Sequence, residues 1–283
     1  MHIVLVCINN FQEYILENIS QLLKLNHKNI VILTNSYLFP KFELYANESS
    51  KIQLIDIETL NNTFEYEKKG GLDKYFRNGF WHLTSLRFFY IYEFMKQYEI
   101  CDVIHLENDA PIYYNCEAII DIFDKNYVYI PFDTFTRNIA SIMYIPNKDV
   151  FKNILDNYDF NKNDMEIFAI IKANTGLIKN FPIFIKTENL SDEQNFTCEN
   201  SDIFPFIFDA AAIGQYVGGI DPRNTDLKDT RGFINETCII KYNNYKIWFE
   251  EINGQKKPFI LIDDKKIPIF NLHIHCKKLK EYI

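Results

Sequence analysis

Short apolar runs alternate with segments of helical spacing over the first 60 residues. Residues 2–8, 29–33 and 52–57 are apolar runs of strand length, and residues 11–25 place apolar side chains three and four positions apart. Strands that are apolar on both faces and separated by helices are typical of a parallel sheet covered on both sides. The pattern therefore predicts an α/β fold.

The next 50 residues continue this alternation after a polar interruption. Residues 60–78 are polar and contain Gly70 and Gly71, which predicts a loop that either closes over a ligand or forms a surface excursion. Residues 81–98 predict a long, aromatic, mostly buried helix, and residues 102–106 a fourth strand.

Beyond residue 110 the pattern stays mixed but is less regular, and it ends in an antiparallel addition. The predicted strands are 127–131, 139–145, 181–185, 238–241, 245–249 and 259–262, the helices are 148–158 and 164–172, and the loops are 187–201 and 218–232. With no repeat and no linker, we expect one domain over residues 1–283.

Composition narrows the classes of protein. The chain is 47% hydrophobic and 24% charged, and its 38 acidic against 30 basic side chains give a net charge of −8. This excludes disorder and disfavours nucleic acid as a partner, which requires a dominant positive field. The six cysteines are scattered without a close pair, which predicts reduced thiols. We expect a cytoplasmic protein without a transmembrane segment, because the sequence has no basic leader and no apolar run of membrane-spanning length.

The usual glycine-rich phosphate loops are missing after the early strands. The first glycine is Gly70, and the glycines at 214–219 are not followed by Lys and Ser or Thr. A nucleotide diphosphate bound to this acidic chain would therefore need a divalent cation held by carboxylates.

The fourth predicted strand leads directly into such carboxylates. Glu107 and Asp109 are two positions apart, so in an extended chain both point to one side and can face one ion. The alternative is an acidic turn at the strand end, capped by Asn108 and Pro111.

A second group of candidate ligands lies near residue 275. His273 and His275 share one face of a presumed strand, with Lys277 and Lys278 directly after them. A histidine would complete a carboxylate metal site, and a lysine would hold phosphate. The alternative is two surface histidines on a basic tail.

These motifs resemble one known family. The strand and helix order, the long helix containing Arg87, and the segment 102–109 ending in Glu107 and Asp109 resemble GT-A glycosyltransferases, which have a nucleotide-sugar fold and a D-x-D motif. The resemblance includes glycogenin-type and related microbial or viral sugar transferases and covers residues 2–280. This chain departs from it in having Glu at the first motif position.

The resemblance implies a mostly parallel central sheet flanked by helices, with residues 1–110 as the nucleotide-binding half and 111–283 as the acceptor and metal-completing half. It implies a glycosyltransferase that uses Mn²⁺ or Mg²⁺, a UDP- or GDP-sugar donor, and a glycan or other hydroxyl acceptor. Two alternatives remain: a sugar nucleotidyltransferase, and a catalytically silent carbohydrate-binding protein of the same fold.

It also assigns roles to single residues. Glu107, Asp109 and His273 or His275 would bind the metal, Lys277 or Lys278 the diphosphate, and Asn138 the donor sugar. The candidates for the catalytic carboxylate are Asp164, Glu166 and Asp209, which take the acceptor proton if the reaction inverts and shape the sugar pocket if it retains. The alternative role for Asp164 and Asp209 is that of a helix N-cap, with Glu166 in a first turn.

The nucleoside contacts are expected at the ends of the early strands. Asn9, Thr34 and Asp56 are candidates for base and ribose, and Arg87 for phosphate or sugar. The alternatives are helix caps for Asn9 and Thr34, a turn at Asp56, and a surface ion pair for Arg87.

Overall fold

An eight-stranded mixed sheet forms the centre of the protein. The computed structural model describes residues 1–219 and 237–283. The strands are β1 (His2–Cys7), β2 (Ile30–Thr34), β3 (Ile52–Asp56), β4 (Val103–Leu106), β5 (Val128–Thr134), β6 (Arg137–Asn138), β7 (Ile142–Ile145) and β8 (Ile178–Phe181). Their order is β3-β2-β1-β4-β7-β5-β6, with β8 beside β5.

The pairing of these strands confirms the α/β prediction. The first four strands are parallel neighbours, as are β5 and β8, whereas β7 runs antiparallel to both β4 and β5. The carboxyl ends of β1, β2, β3 and β4 therefore meet at one edge of the sheet, where α/β proteins place their ligands.

Helices cover both faces of this sheet. They are α1 (Tyr14–Lys24), α2 (Glu43–Glu48), α3 (Tyr66–Lys69), α4 (Phe80–Gln97), α5 (Lys148–Leu155), α6 (Asp164–Thr175), α7 (Asp192–Thr197) and α8 (Ile213–Gly218). Successive residues of β1 point to opposite faces, so Val4 packs in one core with Phe88 of α4, and Leu5 in another with Ile19 of α1. Within the described ranges, no helix has the length and apolarity to cross a bilayer.

A separate antiparallel sheet provides the predicted addition. It consists of β9 (Lys246–Ile252), β10 (Gln255–Ile262) and β11 (Lys265–Pro268). The turn between β9 and β10 is Asn253-Gly254, where both residues have positive φ, 54° and 71°. Asn-Gly is a preferred sequence for such two-residue hairpin turns, because both positions need positive φ.

An extended segment after β11 runs beside residues 109–113. The backbone N–H of Tyr113 donates to Phe270 at 2.8 Å, that of Leu272 to Pro111 at 3.1 Å, and that of Ile274 to Asp109 at 2.9 Å. The presumed strand around His273 is thus an extended strap rather than a regular sheet strand. We call residues 269–277 the strap.

Several predicted elements differ from the structure. The strand predicted at 181–185 is wrong: β8 ends at Phe181, because the next residue, Pro182, has no N–H for the ladder. The strand predicted at 238–241 is also wrong: these residues form no strand, and a single backbone bond joins them to β5, from the Ile239 N–H to the Asp133 carbonyl at 3.0 Å. Short helices lie inside the predicted loops 60–78 and 187–201. The loop predicted at 218–232 falls mainly outside the described residues.

Candidate active site

The acidic segment after β4 is a turn fixed to its neighbours. It is closed by the backbone N–H of Ala110, which donates to the Glu107 carbonyl at 3.0 Å. The Asn108 amide donates to the Val6 carbonyl of β1 at 2.9 Å. Glu107 and Asp109 are therefore held on one side by a turn, not by the extended strand that the spacing predicts.

The strap brings an imidazole to these carboxylates. His273 Nε2 lies 3.0 Å from Asp109 Oδ2 and 3.3 Å from Glu107 Oε2. One ligand atom from each of the three residues lies within 4.8 Å of the others. Lys277 Nζ donates to Asp109 Oδ2. The structure thus places together the carboxylates and one histidine and one lysine of the predicted set.

The two other predicted ligands near residue 275, His275 and Lys278, lie outside this cluster. The His275 ring lies 4.2 Å from the His273 ring, and its Nδ1 is 3.3 Å from Gln215 Nε2. Lys278 is 68% exposed and lies 3.8 Å from Glu281. The chain turns at residues 275–277, where Lys277 has a positive φ of 62°, so Lys277 rather than His275 joins His273 at Asp109.

Arg87 of α4 extends the cluster to a third carboxylate. Its guanidinium pairs with Glu107 through Nη1, and its Nη2 lies 2.9 Å from Asp164 Oδ2. Arg87 is only 7% exposed. It therefore joins the partly buried Glu107 to the buried Asp164, instead of forming the surface ion pair that the sequence left open.

Asp164 is the first residue of α6 and not its cap. The cap is Asn163, whose side chain accepts from the Glu166 backbone N–H at 3.1 Å. The buried Asn138 amide donates to the carbonyls of Asp164 at 2.9 Å and Met165 at 2.7 Å. Asn138 thus fixes the start of α6, which leaves the Asp164 carboxylate facing Arg87.

The two other candidate carboxylates have different surroundings. The Glu166 side chain is 55% exposed and 4.0 Å from Lys162. Asp209 is fully buried, and its two oxygens accept four backbone N–H groups at 2.8–2.9 Å, those of Ala212, Ile213, Gly214 and His273. These four bonds occupy both Asp209 oxygens, so Asp209 has the capping role that the sequence left open. Glu166 lies in the first turn of α6, and its catalytic role stays a prediction.

Asp209 also helps to position the strap against α8. A Cβ built on Gly214 would lie 1.9 Å from the His273 carbonyl oxygen. Only glycine permits this close approach. Gly214, one of the glycines at 214–219 that lack the phosphate-loop motif, therefore serves packing against the strap.

Charge sets different proton affinities within the cluster. Burial raises the pKa of Asp109, but His273 and Lys277 outweigh it and hold that pKa well below its usual range. Burial also raises the pKa of Glu107, but the Arg87 guanidinium lowers it, and the net result is a lowered pKa. Both carboxylates are therefore ionised near neutral pH, which suits cation ligands.

Asp164 responds in the opposite direction. Burial raises its pKa, and this outweighs the lowering by the Arg87 guanidinium. Asp164 is thus the strongest proton acceptor among the three carboxylates that meet here, which favours it as a general base.

A cavity of about 470 Å³ opens next to this cluster at the carboxyl ends of the first three strands. Asn9 after β1, Asn35 after β2 and Glu58 after β3 line it. Leu86, the chain neighbour of Arg87 in α4, and Glu93, further along the same helix, also line it. The cavity and the charged cluster are therefore two parts of one edge of the sheet.

The predicted nucleoside contacts are partly displaced. Asn9 lines the cavity, and its backbone N–H donates to Asn35 Oδ1 at 2.8 Å, so it caps no helix. Thr34 is fully buried and its hydroxyl donates to the Cys7 carbonyl at 2.7 Å. The Asp56 side chain accepts from the Glu58 N–H at 3.1 Å and begins a turn.

These findings correct the prediction for Thr34 and Asp56. Each points into the sheet or its own turn, and a residue one or two positions later faces the cavity. Asn35, Glu58 and Glu93, which also line the cavity, were not among the predicted residues. A glutamate inside the otherwise apolar stretch 88–95 was the available signal for Glu93.

The described residues fit a divalent cation. Two ionised carboxylates and the Nε2 atom of an imidazole offer the oxygen and nitrogen ligands that Mn²⁺ accepts, and Mg²⁺ accepts the oxygens. Glu107 Oε2 and Asp109 Oδ2 already face His273. Within residues 1–219 and 237–283, this is the only such group of three.

No protein-family model and no curated protein sequence matches the chain. Solved structures do match. An active-site variant of LgtC has a TM-score of 0.50 at 13% identity, over 70% of this chain and 84% of LgtC. Mouse xyloside xylosyltransferase 1 has a TM-score of 0.43 at 13% identity, over 64% of this chain and 84% of that protein. A Leptospira borgpetersenii cytidylyltransferase has a TM-score of 0.40 at 12% identity, over 70% of this chain and 79% of that protein. LgtC is a galactosyltransferase. The likeness to it shows that the fold is the GT-A glycosyltransferase fold.

Proposed function

We propose that the protein is a metal-dependent glycosyltransferase that transfers a sugar from a UDP- or GDP-sugar to a glycan or other hydroxyl acceptor. One observation carries the proposal: Glu107, Asp109 and His273 converge beside Lys277, next to a cavity at the ends of the parallel strands. An anion-holding centre beside a nucleoside-sized cavity matches the two halves of such a donor.

The division of charge supports this arrangement of the donor. Among the described residues that line the cavity there is no Lys or Arg, so this part suits the uncharged nucleoside. The diphosphate belongs at the cluster, where Lys277 contributes a positive charge. Mn²⁺ or Mg²⁺, held by Glu107, Asp109 and His273, would act there as a Lewis acid that stabilises the negative charge on the leaving diphosphate.

The reaction then places demands on Asp164. The bond between the anomeric carbon and the diphosphate oxygen breaks while the acceptor hydroxyl attacks that carbon and loses its proton. If the configuration inverts, Asp164 takes this proton. If it is retained, the departing diphosphate oxygen takes the proton and the Asp164 carboxylate shapes the sugar pocket. Arg87 and Asn138 are positioning residues that hold Asp164 in either case.

The experiment is titration calorimetry with UDP and GDP, each with and without Mn²⁺. We expect binding of at least one nucleotide that strengthens at least tenfold with the metal, because the diphosphate needs a cation here. Absence of any nucleoside diphosphate binding in the presence of Mn²⁺ would support a catalytically silent protein instead.

A donor screen read out by release of free nucleoside diphosphate then tests transfer. A sugar nucleotidyltransferase would instead release pyrophosphate from a nucleoside triphosphate and a sugar phosphate. Residues 8–11 contain no glycine after β1, which disfavours that alternative.

Two wider expectations belong to this proposal. All six cysteines are free thiols, which supports the cytoplasmic location that the sequence predicts. The single domain over 1–283, with a nucleotide-binding half at 1–110, is supported by a cavity built wholly from residues 8–93. Cell fractionation and limited proteolysis test the two expectations.

A further inference from the structure

Glu93 is a buried carboxylate with one unused oxygen. It is 2% exposed, and its Oε1 accepts the backbone N–H of Thr63 at 2.5 Å. Its Oε2 is buried without a hydrogen-bond partner in the described part of the chain. An unsatisfied buried carboxylate oxygen is costly, so a ligand that donates an N–H to it would relieve that cost.

The surroundings of Glu93 indicate what this ligand presents. Ile57, Leu60 and Phe89 give the cavity apolar walls that suit a flat ring. Glu58 and Glu67 add two more carboxylates to the lining. The part of a ligand that enters here therefore carries hydrogen-bond donors and no negative charge.

This inference rests on the donor class proposed above. We infer that the cavity selects a nucleotide base that bears an amino group, with guanine preferred. Glu93 accepts a hydrogen bond from an N–H of that amino group. An ionised carboxylate only accepts hydrogen bonds. Guanine presents a ring N–H beside an amino group, whereas uracil presents one N–H between two carbonyl oxygens, which a carboxylate repels. The side-chain amides of Asn61 and Asn62 in the lining supply donors for the guanine carbonyl.

The same side chain also fixes the wall of the cavity. Besides Glu93, Lys96 of α4 holds the segment at Thr63, through a 2.9 Å bond from its Nζ to the Thr63 hydroxyl. A test must therefore separate base recognition from support of this segment. The ratio of affinities for two bases does so, because loss of support weakens all nucleotides alike.

The experiment is calorimetry with GDP, CDP, ADP, UDP and inosine diphosphate at saturating Mn²⁺. We expect the wild type to bind GDP at least about tenfold more tightly than UDP, since a hydrogen bond to a buried charged group has this value. Inosine diphosphate, which lacks only the amino group, is expected to bind about tenfold more weakly than GDP.

The Glu93→Gln variant keeps the shape and removes the charge. We expect it to bring GDP and UDP affinities within about threefold of each other. Glu99→Gln, which changes an exposed glutamate paired with Lys148 beyond the end of α4, is the matched control and should keep the wild-type ratio.

The outcomes are distinct. Wild-type binding of UDP as tight as GDP, or of inosine diphosphate as tight as GDP, overturns this inference and leaves the proposed function intact. Failure of every nucleoside diphosphate to bind with Mn²⁺ overturns the proposed function, and the inference with it. If Glu93→Gln does not fold, the wild-type comparison of GDP with inosine diphosphate alone decides.

Discussion

Single side chains at the tip of β4 carry the strongest prediction. Asp109→Asn removes a negative charge from the cation ligands, so we expect Mn²⁺-dependent nucleotide binding to fall at least about tenfold. Because Asp109 also pairs with Lys277 and His273, the free energy of unfolding should fall by about 1–3 kcal/mol. Calorimetry and urea unfolding measure both effects.

The matched control for this change is Asp202→Asn, which alters an exposed aspartate. It should leave nucleotide binding and stability at wild-type values. Unchanged metal-dependent binding in Asp109→Asn would make the acidic turn a structural feature only.

Replacing two buried aspartates by asparagine should affect different properties, turnover for Asp164 and stability for Asp209. Asp164→Asn removes the proton acceptor, and we expect turnover to fall at least about tenfold in an inverting reaction while the fold persists. Asp209→Asn weakens four backbone hydrogen bonds, and the free energy of unfolding should fall by about 3 kcal/mol. Steady-state rates and urea unfolding compare them. A normal rate in Asp164→Asn would reassign the base.

Histidine burial predicts how stability changes with pH. Burial lowers the pKa of His27 to about 4, from an ordinary 6.5. Below pH 6.5 the unfolded chain binds a proton that the folded chain does not, so stability is full above this pH and is lost as pH falls toward 4. Between pH 7 and 5 we expect a loss of about 2 kcal/mol from this residue.

Urea unfolding of the wild type and His27→Gln at both pH values measures this loss. The variant should lose about 2 kcal/mol less on acidification, because its side chain does not titrate. Equal losses in the two proteins would show that His27 gains its proton without opening the fold.

Residue spacing predicted the charged cluster better than the cavity. Glu107, Asp109, His273 and Lys277 stand out as chemistry-bearing types in short motifs, so they were found before their contact was known. Glu93 and Asn35 carry no such motif, since their placement depends on how α4 and the end of β2 face each other. That relation is a property of the packed fold and is not local in sequence.

The N-caps of α6 and α5 allow the effect of helix stability to be separated from the position of Asp164. Asn163 caps α6, which carries Asp164, and Asn147 caps α5, which carries no site residue. Asn163→Ala and Asn147→Ala should each lower the free energy of unfolding by about 1 kcal/mol. Only Asn163→Ala is expected to lower turnover, because it loosens the α6 start.

Thermal unfolding and steady-state rates check this pair. Equal loss of activity in both variants would show that general destabilisation, rather than the position of Asp164, controls the rate.

Elements buried on both faces were the predictable ones. The strands β1, β2 and β4 are buried along their length because the sheet is covered on both sides, whereas the edge strand β3 exposes Gln53. The predicted bounds of these strands and of α4 agree with the structure within a few residues. The strand predicted at 238–241 failed because side-chain burial alone also fits an irregular segment in the third core. Strand pairing requires a partner that an apolar run does not reveal.

Across the whole molecule, cation binding should stabilise the fold. The proposed ligands come from the end of β4 and from the strap, so the cation binds the folded chain and not the unfolded one. At a Mn²⁺ concentration of 100 times the dissociation constant, we expect a gain of about 2.7 kcal/mol in the free energy of unfolding. Thermal unfolding with and without Mn²⁺ measures it.

His273→Gln is expected to lose most of this gain, and His2→Gln, at the far end of β1, should keep it. A gain of the same size in His273→Gln would place the cation elsewhere.

The strap has one more effect, on the timing of synthesis. The His273 to Asp109 hydrogen bond joins residues 164 positions apart. While a ribosome is still translating the codons before His273, the nascent polypeptide holds its acidic turn but neither the imidazole nor the lysine amine opposite it. If the protein acts as proposed, the emerging chain therefore lacks a complete metal site until the strap has been made.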